Sequence, residues 1–146
     1  MTEKGQSLFE IIFALGLITL ILIAVVSLAG LSIKNSSFSQ LQTTATRYME
    51  TTMEWLREQK ELDWDNFYTF ALNASISNSK WCFNELSWEN ATLGECSGFI
   101  IDTNIKREIT FVTNLNPAEV QVIVNVNWLD SNGYHEVSST SELTNY

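Results

Sequence analysis

The chain has 146 residues, room for one domain, and part of that length is a continuous apolar run that cannot belong to a soluble core. The formal net charge is −9, and Arg47, Arg57, Lys60, Lys80, Lys106 and Arg107 are scattered among more numerous carboxylates. Without a basic patch the chain alone is not expected to bind nucleic acid, and its acidic surface favours solubility and self-repulsion.

From Ile11 to Leu31 the sequence IIFALGLITLILIAVVSLAGL holds no charge, and its only polar side chains are Thr19 and Ser27. As a helix it rises about 1.5 Å per residue and spans roughly 30 Å, the thickness of a bilayer's hydrocarbon core. Three readings compete. A secretory signal peptide has an apolar region of roughly 7–15 residues, shorter than this one, although Ser27-Leu28-Ala29 offers a cleavage site. An ordinary signal anchor takes its orientation from positive charge on the cytoplasmic side, where Lys4 is opposed by Lys34 beyond the run. Neither accounts for Glu10, a carboxylate at the edge of the apolar run that is costly in hydrocarbon unless it finds a partner. The alternative for Glu10 is a solvated residue favoured by the helix dipole.

The stretch KGQSLFEIIFALGLITLILI, Lys4 to Ile23, resembles the class III signal of type IV prepilins and type II secretion pseudopilins. In that pattern a short basic leader ends in Gly, and Glu is the fifth residue after the cut. With cleavage after Gly5, Gln6 becomes the amino terminus and Glu10 falls fifth. The resemblance implies that a prepilin peptidase cuts between Gly5 and Gln6 on the cytoplasmic side and methylates the new amine. It also implies that the helix stays in the inner membrane until the subunit enters a filament, with Glu10 as the assembly carboxylate. Physically, cleavage creates an α-amine with a pKa near 8. In staggered helices that amine meets Glu10 of a neighbour, a pair that sets register more than it adds stability. Gln6 stands where the family usually has Phe, and Ser27 where many major pilins have a kinking Pro; Gly16 and Gly30 can soften the helix instead.

Past the membrane run, Phe38, Leu41, Ala45, Tyr48, Met49, Met53 and Leu56 recur every three or four residues, so the helix is expected to run from about Ser7 to Leu62. Between Asp63 and Ser97 the periodicity breaks down into a connecting region with Trp64, Phe67, Tyr68, Phe70, Trp81, Phe83 and Trp88. Asp63-Trp64-Asp65 supplies too few oxygens for calcium and is expected to be a solvated helix end. Cys82 and Cys96 are expected to form a disulfide, since the anchor places them outside the cytoplasm, and a loop of about 15 residues gives roughly 3 kcal/mol in the chain-entropy model. With His135 they are too few for a metal site.

Strands are expected at Gly98 to Thr103, Glu108 to Thr113, Val120 to Trp128 and Tyr134 to Leu143. Val120, Val122, Val124, Val126 and Trp128 form one face, with Gln121, Asn125 and Asn127 on the other, and Asp130-Ser131-Asn132-Gly133 supplies Asn-Gly turn chemistry. The Val face is expected to cover the long helix. The fold class is therefore α+β: a long N-terminal helix, half membrane-spanning and half amphipathic, packed on a small antiparallel sheet, pilin-like in outline. The expected organisation is a leader over 1–5, a transmembrane or filament-core helix over 6–34 and a head over 35–146. Within the head, the amphipathic helix covers 38–62, a connecting loop 63–97 and the sheet 98–146. The terminal NVNWLDSNGYHEVSSTSELTNY also resembles the hairpin closing many minor-pilin sequences.

The expected function is that of a structural subunit, a minor pilin or pseudopilin of a type IV pilus or a related secretion or competence filament. Its partners are other pilin subunits, prepilin peptidase, the assembly platform and, before assembly, membrane lipid. Its place is the cytoplasmic membrane as a single-pass protein, then an extracellular or periplasmic filament. No cofactor is implied. The rival is a membrane-anchored, non-polymerising binding or adhesin module with a ligand surface at Trp81, Trp88, Trp128 and Tyr134. An enzyme finds no support: His135 is the only imidazole, no Ser sits in a Gly-x-Ser-x-Gly context, and no carboxylate pair stands out. Asn35, Asn73 and Asn90 lie in N-x-S/T sequons.

Overall fold

A computed structural model describes residues 3–77, 79–98, 101, 104–115 and 118–145, with the side chains of 8–77, 79–98, 101, 104–114 and 118–145. The chain separates into two compact units, Met1–Ser39 and Gln40–Tyr146. Helix α1, Glu3–Leu62, begins in the first and ends in the second. It starts before the expected Ser7, because once a helix is nucleated each added residue gains a backbone hydrogen bond.

In the first unit every large apolar side chain from Leu8 to Ile33 is exposed, and even the least exposed, Leu17, is 47% uncovered. A core helix of a soluble protein buries such a stripe, whereas this segment has no buried residue in its most apolar window. The helix is long and apolar enough to cross a membrane, and the unit is compatible with a single-pass anchor. The Thr19 hydroxyl donates to the Gly16 carbonyl at 2.8 Å, so it needs no outside partner in an apolar medium.

In the second unit the last turns of α1 bury Ala45, Met53 and Leu56 of the stripe expected from the three-and-four spacing, and Thr52 beside them. Helix α2, Trp64–Ile76, was not expected: it occupies the first part of the segment read as a connecting loop. Asp63 caps it, its carboxylate accepting from the Asn66 amide at 3.0 Å, and Phe67, Ala71 and Ala74 form its buried stripe. That stripe is only one bulky residue wide, the others being Ala, so it gives a weak apolar period.

Strands β1 (Lys80–Cys82), β2 (Thr92–Leu93), β3 (Ile105–Leu115), β4 (Ala118–Asp130) and β5 (Gly133–Thr144) form one antiparallel sheet in the order β2-β1-β3-β4-β5. Of the strand expected at Gly98 to Thr103, Ile101 makes an isolated antiparallel bridge to Ile105, while Phe99, Ile100, Asp102 and Thr103 lie outside the described residues. The register pairs Ile109 with Val124 and Val124 with Ser139, and paired residues share a face. One face thus gathers Ile105, Arg107, Ile109 and Phe111 with Val120, Val122, Val124, Val126 and Trp128, all buried. On the edge strand the same face continues through Val137, Ser139 and Ser141, half-buried and more polar.

The long helix packs on this sheet. Arg107 Nη1 donates to Thr52 Oγ1 at 3.1 Å, and the Trp55 and Phe83 rings meet edge to face at 5.6 Å. Asn127, on the face opposite the Val row as expected, is also buried. The β4–β5 turn centres on Ser131 and Asn132, with Gly133 already paired to Asp130 at φ 123, a conformation that L side chains rarely adopt. The Asn-Gly dipeptide therefore sits one position later than a two-residue hairpin loop requires, and Asp130 Oδ1 steadies the turn by accepting from the Asn132 amide at 2.7 Å.

Candidate functional site

At the amino end, the Gly5–Gln6 position falls on the first turns of α1, where side chains lie outside the described residues. Glu10 is exposed on α1 and makes no ion pair among the described residues. It lies near the start of the uncovered apolar surface that runs from Leu8 to Ile33.

In the second unit the expected disulfide is present: Cys82 and Cys96 are bonded with their Cα atoms 5.1 Å apart. Cys82 pairs with Glu108 across β1 and β3, and the Cys96 amide donates to the Glu108 carboxylate at 3.1 Å. Lys80 and Lys106 reach the same carboxylate at 3.2 and 3.3 Å, and Lys80 also meets Glu95 at 3.5 Å. Burial disfavours charge on Glu108, but the Cys96 amide and the two ammonium groups outweigh it and hold the carboxyl below the usual glutamate range. This network locks the cystine loop onto the sheet. Nothing in the sequence marks Glu108 for the task except its two-residue spacing from Lys106 on one strand face.

The calcium alternative at Asp63 and Asp65 has a structural explanation. Asp63 caps α2, Asp65 sits in its first turn, and no group of three or more His, Cys, Asp or Glu gathers among the described residues. The lone imidazole, His135, lies 2.9 Å from Asp130 Oδ1 and stacks on Trp128 at 5.3 Å, which ties it to the hairpin.

The ligand surface considered for Trp81, Trp88, Trp128 and Tyr134 does not form. Trp81 and Trp128 are buried, and Tyr134 is exposed on the opposite sheet face from the Trp128–His135 pair. Alternation along β4 and β5 forces that split, since neighbours in a strand point to opposite faces. Of the three tryptophans only Trp88 is partly accessible, and it joins a different group. Its ring stacks on Phe70 at 4.3 Å and meets Trp55 at 5.1 Å and Phe83 at 5.4 Å. The aromatics expected to be spread along a connecting region are thus gathered where α1, α2 and the cystine loop meet.

No protein-family model matches the sequence, and neither a curated protein nor a solved structure matches it significantly. The class that fold and site define is an α+β protein with a long apolar N-terminal helix, compatible with a single-pass anchor, and a disulfide-bonded head, an architecture compatible with a pilin-like subunit.

Proposed function

We propose that the chain is a structural subunit, a minor pilin or pseudopilin, of a type IV pilus or related secretion or competence filament. In this reading prepilin peptidase cuts between Gly5 and Gln6, and the subunit waits in the cytoplasmic membrane until an assembly platform extracts it. The observation that carries the reading is the uncovered apolar helix from Leu8 to Ile33, with one carboxylate, Glu10, near its start in register with the Lys4–Ile23 resemblance. Lipid covers that surface first and the helices of other subunits cover it later. Because lipid tails are as apolar as the side chains, exchange of one for the other does not itself drive assembly. Packing, the pairing of the Gln6 amine with Glu10 of a neighbour, and the platform's work supply the drive. Ser27 in place of Pro, a disulfide outside the carboxyl-terminal region and the terminal hairpin favour a minor over a major subunit.

The test is the mature amino terminus, read by intact mass and terminal-peptide analysis after co-expression with an active prepilin peptidase. Chains beginning at Gln6, with processing lost in Gly5→Ala, support the proposal. Chains beginning at Met1 or after Ala29, while a control substrate is cut, replace it with the non-polymerising binding module.

A further inference from the structure

A cleft of about 460 Å³ opens beside the aromatic cluster, within the range of about 300–1,000 Å³ usual for small-ligand sites. Each of three elements gives it a wall. Helix α1 contributes Trp55 and Gln59, α2 contributes Asn66 and Phe70, and the cystine loop contributes Trp88 and Glu89. The first two pairs are four residues apart, so each pair lies on one helix face. The walls are held in advance of any ligand. The Trp88 indole N–H donates to Gln59 Oε1 at 3.2 Å, Phe70 stacks on Trp88, and the Glu89 amide donates to Ser87 Oγ at 3.3 Å.

The polar groups at the rim are Asn66 and Glu89, both exposed, together with the Gln59 amide nitrogen. Among the described residues none of these three groups has a hydrogen bond or ion pair of its own. Together they present amide donors, an amide acceptor and a carboxylate acceptor. No Lys, Arg or His lines the cleft and Glu89 adds a negative charge, so it disfavours a phosphate or carboxylate ligand. The rings also pack on one another, Phe70 flat against Trp88 and Trp55 tilted by 45°, rather than around an open centre, so they do not make the cage that recognises a quaternary ammonium. A neutral pyranose fits what remains. Its C–H face is apolar and rests on an aromatic ring, while its hydroxyls both donate and accept and so satisfy amides and a carboxylate together.

We infer that the cleft between α1, α2 and the cystine loop is a binding site for a neutral carbohydrate. The inference stands apart from the filament proposal, since it needs only the second unit's geometry and holds equally for an anchored chain that never polymerises. The test uses the full chain in phospholipid nanodiscs, because sugar-headed detergents would compete. Neutral oligosaccharides of glucose, galactose and N-acetylglucosamine are titrated against tryptophan fluorescence and saturation-transfer NMR, with tetramethylammonium as the competing chemistry. The expected result is saturable binding of at least one sugar, weakened roughly tenfold in Asn66→Ala and again in Glu89→Ala, as expected when hydrogen bonds to a polar ligand are lost. Both residues are exposed, so circular dichroism should show these variants folded. Three results overturn the inference: no saturable binding to any sugar of the panel, sugar binding unchanged in both variants, or binding of tetramethylammonium in place of sugar.

Discussion

Arg107 occupies the apolar phase of β3, between Ile105 and Ile109, and is 3% exposed with no carboxylate paired to it among the described residues. Its guanidinium donates to Thr52 Oγ1 and the Asn84 carbonyl, while Nε has no partner. Burial lowers its pKa to about 10, against a small opposing influence of Tyr48. A buried charge so weakly compensated is costly, so Arg107→Met, of similar length and apolar, is expected to leave stability unchanged or raise it by about 1 kcal/mol. Arg107→Ala opens a cavity and is expected to cost about 2–4 kcal/mol. Urea titration of both variants checks this, and a Met variant as damaged as the Ala variant would show that the charge itself holds the fold. Glu108 is the opposite case, a carboxylate with more partners than its burial costs. Glu108→Gln is expected to destabilise by about 1–3 kcal/mol at pH 7. Because its folded pKa lies below the ordinary 4.5, the folded state binds fewer protons than the unfolded state. Its contribution is therefore complete above that value and fades as pH falls through the folded pKa. Denaturation curves at pH 7 and pH 3 should show the gap between wild type and variant narrowing in acid.

At the scale of elements, α2 and the cystine loop form the part of the head that a reading of the sequence left irregular. The Asp63 cap is expected to be worth about 0.5–2 kcal/mol, so Asp63→Ala should lower the denaturation midpoint without changing the helix content of α1. Reducing Cys82–Cys96 should cost roughly 3 kcal/mol in the chain-entropy model and free the loop that carries Trp88, visible as a change in tryptophan emission. An unchanged emission spectrum on reduction would mean that the Lys80–Glu108–Lys106 network and the Trp88 contacts hold the loop without the bridge. Strands β3, β4 and β5 were legible because alternation writes the buried face into every second residue, as at Val120 to Val126. β1 and β2 were not, being three and two residues long, too short to show any period.

At the scale of the molecule, the two units call for different solvents. A chain beginning at Gln40 retains every residue buried in the head and lacks the Leu8–Ile33 surface. It is expected to be soluble, disulfide-bonded and folded, while the full chain partitions into membrane or detergent; fractionation followed by circular dichroism checks both. Glu10→Ala is expected to leave that partitioning and the peptidase cut intact and to abolish incorporation into filaments, measured by shearing and immunoblotting. Filaments that still contain the variant at wild-type levels would remove Glu10 from the assembly reading.

The sequence by itself determined the long apolar run, the continuation of its helix to Leu62, the main antiparallel strands and the choice of Cys82 and Cys96 as partners. Each follows from local periodicity, from chain length against bilayer thickness, or from there being only two cysteines to pair. Only the tertiary structure decided that Trp55, Phe70 and Trp88 share a cleft, that Asn127 and Arg107 are buried, and that Lys80, Cys96 and Lys106 converge on Glu108. Most of those contacts join residues distant along the chain, and which distant side chains meet depends on strand order and register, which no local pattern encodes.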